Sequence, residues 1–137
     1  MNTTESGLLG ELIAAAYLRL RGLDVLERRY RAAGAEIDIV ARDDRTLVFV
    51  EVKLRKAPGK APGRTSVGVD KQRRIARAAT AYLATLPLTS SGQGAARARF
   101  DVVELTVSRE GMMLVHIRDA FRPGHEGGRW STCWRRS

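Results

Sequence analysis

The stretch Thr46-Leu47-Val48-Phe49-Val50-Glu51-Val52-Lys53-Leu54 decides the fold. Its Val and Phe content is that of a strand. Side chains alternate along a strand, so Val48, Val50 and Val52 enter a core while Glu51 and Lys53 share the opposite face. A turn signal, Asp43-Asp44-Arg45, precedes it. Before that, Ala35 to Arg42 alternates, with Ile37 and Ile39 pointing one way and Glu36 and Asp38 the other. A hairpin with an even number of loop residues brings Asp38 to the face of Glu51 and Lys53. A four-residue loop, Asp43 to Thr46, sets Asp38 directly opposite Glu51, and a two-residue loop offsets it by one pair. An odd loop would turn it away.

Outward from this hairpin, residues 4–21 are predicted helical. Leu9, Leu12, Ile13, Ala16, Tyr17 and Leu20 recur on one helical face, and Gly22 is a C-terminal stop. Asp24 to Arg31 is a short strand. Downstream, the tandem Lys56-Ala57-Pro58-Gly59 and Lys60-Ala61-Pro62-Gly63 predicts a mobile loop. Asp70 to Leu86 is a second helix, burying Ile75, Ala78, Ala79, Tyr82 and Leu83. Pro87 to Gly94 connects it to a hairpin of Arg99 to Val107 and Met112 to Arg118 around Ser108-Arg109-Glu110-Gly111. The order helix, three strands, helix, two strands predicts an α/β domain with a central mixed sheet flanked by helices. It covers residues 1–122, followed by a basic, flexible tail over 123–137.

The chain has 137 residues, enough for one domain. No run is long and apolar enough to span a bilayer, and Met1 to Gly7 lacks a basic segment leading into an apolar one. Cys133 is the only cysteine, which excludes an internal disulfide. Together these predict a cytoplasmic protein without a membrane partner. The net charge is +9 and the pI about 10.8, a balance that attracts polyanions, nucleic acid first. Charge is concentrated between Glu51 and Arg77, where nine basic residues face two acidic ones.

Two carboxylates and one ammonium on one sheet face repel unless a proton or a cation joins them. Lys53 neutralises one negative charge, leaving affinity for a divalent ion. Mg2+ takes one or two carboxylates with water and substrate phosphate, so Asp38, Glu51 and the backbone carbonyl of Val52 could supply a partial shell. Such an ion lowers the pKa of a bound water and offsets charge on a phosphate. Lys53 would position that water or stabilise developing charge. The competing reading is a cross-strand salt bridge on a solvated sheet.

These residues resemble the PD-(D/E)XK nuclease superfamily, and within it the small bacterial YraN family. The resemblance rests on Gly10-Glu11, Glu36-Ile37-Asp38-Ile39-Val40-Ala41 and Val48-Phe49-Val50-Glu51-Val52-Lys53-Leu54-Arg55. Lys71 with Arg74, and Arg99-Phe100-Asp101-Val102-Val103, extend it over residues 5–121. It implies a restriction-endonuclease-like fold with a five-stranded sheet, similar to archaeal Holliday-junction resolvases. It also implies metal binding by Asp38 and Glu51 with Mg2+ or Mn2+, a catalytic Lys53, and a contribution from Glu11. Related resolvases pair as dimers, which extends the expectation to a homodimer. Ile37 stands where the superfamily name has proline, and Ala35 replaces a glycine usual in YraN-like sequences.

Glu11 also stands out by itself. It lies nearly opposite the Leu9/Leu12/Ile13/Ala16 stripe, among Gly7, Ala14, Ala15 and Leu18, an apolar setting for a solvent-facing carboxylate. An exposed glutamate is the plain reading; a carboxylate aimed at the sheet is the functional one. Arg55, Lys56, Lys60, Arg64, Lys71, Arg74 and Arg77 are candidate phosphate contacts. Tyr82 reads as core rather than a base-stacking platform, Asp101 as a partner for a basic group, and His116 as a strand surface residue. His125 shows no ligand spacing. The leading expectation is an endonuclease hydrolysing DNA, with branched or damaged structures as the finer one. The alternatives are a nucleic-acid-binding protein of the same fold that does not cleave or awaits a partner, and an interaction protein docking through Trp130 and Trp134.

Overall fold

The computed structural model describes residues 3–57, 63, 66–87 and 97–123. Lys60, Arg64, most of the tandem repeat, His125, Trp130, Cys133 and Trp134 lie outside the described residues, as does the tail beyond Pro123. Seven elements follow in the expected order: α1 (Thr3–Leu20), β1 (Asp24–Ala32), β2 (Ala35–Asp43), β3 (Thr46–Lys56), α2 (Val69–Thr85), β4 (Arg97–Ser108) and β5 (Gly111–Phe121). The strands form one open sheet in sequence order, antiparallel except for the central β3–β4 pair, which is parallel. This mixed five-stranded α/β sheet flanked by helices matches a restriction-endonuclease-like architecture.

The two helices lie on opposite faces. On one, Ile75, Ala76, Ala78, Ala79 and Tyr82 of α2 pack on Val40, Leu47, Phe49, Phe100 and Val102. Tyr82 is core as expected, edge-on to Tyr30 and Phe49 with ring centroids 5.2 and 6.1 Å away. The larger of these side chains each contribute roughly 1.5–3 kcal/mol on burial. On the other face, Ala14, Ala15 and Leu18 of α1 pack on Ile39, Ala41, Val48, Val50 and Val103.

The helical face expected to be buried in α1 is reversed. Gly10, Ala14, Ala15 and Leu18 are buried, whereas Leu9, Leu12 and Leu20 are exposed by 44, 49 and 88%. The helix is apolar on both sides, so periodicity alone does not choose between them. Small residues decide it. A Cβ added at Gly10 would stand 3.5 Å from Leu105 Cδ1, showing how near the helix backbone lies to the sheet.

The β2–β3 turn has two residues, Asp44-Arg45, with Asp44 at φ 56° in the left-handed region that aspartate tolerates. Its closing pair is Asp43↔Thr46, which lies on the same register as the four-residue loop. The offset expected of a two-residue loop therefore does not arise. Ladder pairing runs to Ile39↔Val50 and ends there, just short of Asp38 and Glu51. Nor is the alternation of β2 unbroken. Ile37 joins the α2-side core and Ile39 the α1-side core, so a single parity does not carry through Asp38. Opposite this break, between the pairs Arg28↔Ile39 and Tyr30↔Ile37, Arg29 has φ 54°.

Candidate functional site

Where the β2–β3 ladder stops, Asp38 uses its side chain in place of its main chain. Its Oδ2 accepts the backbone N–H of Val52 at 2.8 Å. The carboxylate is thereby fixed in the gap between two parting strands, within reach of both sheet faces. Glu36 approaches from the same strand and Glu11 from the buried side of α1. One carboxylate oxygen from each of Glu11, Glu36 and Asp38 lies within 4.8 Å of the others. Glu11 is thus turned toward the sheet, as its apolar neighbours suggested.

A cleft of about 350 Å³ opens beside this cluster, lined by Gly34, Ala35, Glu36, Asp38, Glu51, Lys71, Arg74 and Ile75. Asp38 and Glu51 therefore line the same cleft. Glu51 is buried, at 6% exposure, and its Oε1 accepts a hydrogen bond from the Lys71 ammonium. Lys53 takes another course. Its Nζ donates to the carbonyl of Ser66 at 3.4 Å, and it is not among the residues lining the cleft. The ammonium nearest Glu51 comes from α2, not from the neighbouring position on β3.

Electrostatics mark Asp38 as the strained member. Burial, then the negative charge of Glu51, push its carboxyl from 3.8 up to about 7, against the pull of the Val52 N–H. Burial also raises Glu11, with the Arg29 guanidinium opposing and Glu36 adding to the rise. Arg29 Nε stands 3.9 Å from Glu11 Oε2 and 3.6 Å from Glu36 Oε1, and Arg31 Nε donates to Glu36 Oε2 at 2.9 Å. Glu36 and Arg29 were not singled out from sequence as site residues. The signal for Glu36 was its alternation with Asp38; Arg29 gave none, because its position depends on a positive φ.

The donor set suits a hard divalent cation. Hard ions prefer carboxylate oxygens, and the rise at Asp38, due first to burial and then to the negative charge of Glu51, is one that a bound cation would oppose. Glu11, Glu36 and Asp38 would hold such an ion, with Glu51 across the cleft. Val52 enters through its N–H on Asp38.

The other candidate residues divide. Lys71 and Arg74 line the cleft, while Arg77 is exposed one turn further along α2. Lys56 is exposed at the end of β3. Arg55 is drawn inward, donating to Glu104, a wholly buried carboxylate whose Oε2 also accepts the Gly63 N–H at 2.7 Å. Asp101 does partner a basic group, accepting from Arg99 Nε at 3.0 Å. His116 is corrected from a surface residue to a buried one. Its Nε2 lies 2.7 Å from Asp101 Oδ2 and its Nδ1 3.2 Å from the Tyr17 hydroxyl, tying α1 to β5. His116 lies on the α1 face of β5, and the residues around it in sequence give no sign of the acid it meets on the adjacent strand. Among the described residues no helix is long and apolar enough to cross a membrane.

Comparison with known proteins gives one consistent result. A family model described as Uncharacterised protein family UPF0102 matches residues 10–105. A UPF0102 protein of Syntrophus aciditrophicus is 46% identical over 85% of this chain and 87% of its own. A UPF0102 protein of Geobacter sulfurreducens is 43% identical over 84 and 87%, and one of Cupriavidus metallidurans 44% identical over 93 and 90%.

Proposed function

The chain belongs to the UPF0102 family, the group to which the YraN-like motifs pointed, and from that premise we propose that it is a divalent-metal-dependent endonuclease acting on DNA. One observation carries the reading: Glu11, Glu36 and Asp38 converge where two strands part, beside a cleft walled by Glu51, Lys71 and Arg74. Membership of the PD-(D/E)XK superfamily, and likeness to resolvases, belong to the same proposal.

Bound there, Mg2+ or Mn2+ supplies a Lewis acid that offsets phosphate charge and makes water more acidic. Glu11, Glu36 and Asp38 would hold the ion, and the Val52 N–H keeps Asp38 oriented. Arg74 and Arg77 bind backbone phosphates along α2, with Lys56 at the end of β3, while Arg55 stays committed to Glu104. Lys71 donates to Glu51 and faces the phosphate. Lys53, released from Ser66, aligns the attacking water as its oxygen bonds to phosphorus, the ester P–O bond breaks and the departing oxygen receives a proton. Positioning and electrostatics carry this chemistry.

A nucleic-acid-binding protein of the same fold is the second reading. The placement of Lys53 favours it, since the ammonium rests on a carbonyl outside the cleft. Cleavage of supercoiled, linear and branched DNA with Mg2+ or Mn2+ separates the two. The endonuclease reading expects nicking that Asp38→Asn and Lys53→Ala each abolish. Salt-sensitive binding without cleavage under any of these conditions supports the second.

A further inference from the structure

Three arginines stand within four residues of β1, Arg28-Arg29-Tyr30-Arg31, and β1 is an edge strand of the sheet. Charge on an edge discourages pairing with other chains, which accounts for the exposed Arg28 and Arg31. Arg29 follows a different geometry. It falls between the pairs Arg28↔Ile39 and Tyr30↔Ile37, so it stands opposite Asp38, and its φ is 54°. The left-handed turn lets β1 follow β2 across the break in alternation, since Tyr30 and Ile37 pack on the α2 side and Ile39 on the α1 side. Glycine or asparagine meets that backbone demand at less cost than arginine, so the backbone does not account for the guanidinium. The side chain is delivered to Glu11 and Glu36, with Nε 3.9 and 3.6 Å from their carboxylate oxygens. At those distances charge holds it rather than a hydrogen bond, and it is 41% exposed. Arg31, by contrast, donates to Glu36 at 2.9 Å. Among the described residues, Arg29 is the cation in ion-pair contact with Glu11.

We propose that Arg29 couples ion binding to phosphate binding. It is the counter-ion of Glu11 and Glu36 in the ion-free chain, and a divalent cation taken up by those carboxylates releases it to a backbone phosphate of the nucleic acid. The proposal rests on the reading of Glu11, Glu36 and Asp38 as an ion site. Competition follows from charge. A doubly charged ion on the same carboxylates repels the guanidinium and cancels the attraction that holds it. Arg31 occupies Oε2 of Glu36, so the oxygen left for an ion is Oε1, the one that Arg29 faces. Freed of the carboxylates, an exposed arginine offers phosphate a planar, two-pronged donor. Lys71 and Arg74 reach the cleft from α2, whereas Arg29 comes from the edge strand, so a bound strand is held from two elements that flank Asp38. Before an ion arrives, the same acids repel phosphate and hold the arginine back. Ion and nucleic acid therefore strengthen each other's binding through one side chain, by the same factor in both directions.

Two titrations test this: calorimetry with Mn2+ alone, and fluorescence anisotropy of a short DNA duplex in chelator and in Ca2+, a cation of the same carboxylate preference. Arg29→Asn removes the charge and tolerates the positive φ. It should bind Mn2+ alone roughly fivefold more tightly than the natural chain, because the competing cation is gone. Its loss of DNA affinity should be roughly fivefold greater in Ca2+ than in chelator. Arg29→Lys keeps the charge without the fork, so it should hold the natural Mn2+ affinity and recover only part of the DNA affinity. Mn2+ binding that Asp38→Asn abolishes but Arg29→Asn leaves unchanged overturns the coupling and spares the ion site. A chain that binds no Mn2+ overturns both. Equal losses of DNA affinity in the two buffers, with a lowered Tm, make Arg29 a brace between α1 and β1 and also overturn the coupling.

Discussion

Asp38 Oδ2 and the backbone N–H of Val52 lie 2.8 Å apart, a side chain bonded to the neighbouring strand just beyond the last main-chain pair of β2 and β3. The ladder ends and a carboxylate takes over. Burial and Glu51 then raise that carboxyl from 3.8 to about 7. The folded chain consequently holds a proton that the unfolded chain has already released over this range. The contribution to stability is full below about pH 4 and is lost as pH climbs through 7, reaching on the order of a few kcal/mol. Asp38→Asn keeps an acceptor for Val52 and removes the charge. In chelator, its advantage in Tm over the natural chain should be absent near pH 4, grow toward pH 7 and then level off. A pH-independent difference would contradict this account.

Added divalent cation should act in the opposite sense. At about pH 8, millimolar Mg2+ or Mn2+ should raise the Tm of the natural chain by relieving repulsion among Glu11, Glu36 and Asp38, and the rise should shrink at pH 6 as protons compete. Calorimetry with Asp38→Asn and Glu11→Gln should show little or no rise. An undiminished rise in both variants would move the ion elsewhere.

Lys71 and Glu51 form a one-sided pair, the glutamate side chain 5% and the lysine side chain 44% exposed. Removing the ammonium leaves a nearly buried charge unsatisfied, so Lys71→Met should cost roughly 1–3 kcal/mol in denaturant unfolding. Glu51→Gln in the same chain should recover part of it. Additive losses in the double variant would show that the two groups do not interact.

Arg55 and Arg74 should separate by observable. Arg55 grips Glu104 inside the fold, so Arg55→Ala should lower stability by about 3–5 kcal/mol. Arg74 is exposed at the cleft, so Arg74→Ala should leave stability within about 0.5 kcal/mol. It should reduce the salt dependence of DNA binding by about one phosphate contact. Fluorescence titrations at several salt concentrations measure the second effect. Reversal of the two phenotypes would exchange their roles.

Asp101 predicts an acid-side loss. Burial alone would raise its carboxyl, but hydrogen bonds from His116, the Asp119 N–H and Arg99 outweigh burial and hold it below the ordinary value. Its stabilisation is present above the unfolded pKa of about 3.9 and is lost as pH falls through the lower folded value. Asp101→Asn should therefore be destabilising at neutral pH, with the gap to the natural chain narrowing in strong acid. Equal stability at pH 7 would remove the triad of Tyr17, His116 and Asp101 as a brace for α1.

The order of elements and the hairpin register followed from local alternation and an even loop, but the break in alternation between Ile37 and Ile39, which sets how Asp38 meets Glu51, did not. Glu11 was legible only in part: an acid among Gly7, Ala14, Ala15 and Leu18 is out of place on a solvent face, yet an exposed glutamate was the plainer reading. The outward turn of Leu9 and Leu12 was not, because choosing between two apolar sides depends on how closely Gly10 lets the helix approach. Partner choice was hidden for a similar reason. Lys53 lies two residues from Glu51 in sequence, but Lys71 reaches it from a crossover helix, and nothing short-range distinguishes the two ammonium groups. The burial of His116 likewise depends on Asp101 from the adjacent strand.

The parallel pairing of β3 with β4 also sets a timetable for assembly. Antiparallel neighbours close through tight turns, so β1, β2 and β3 can zip together as the chain emerges, bringing Glu36, Asp38 and Glu51 together early. The β4 strand cannot join until α2 has been made and has crossed the sheet, which closes a far longer loop. Until then one flank of β3 lies open, and docking of β4 is the step whose delay would govern refolding rate and the chance of intermolecular strand exchange.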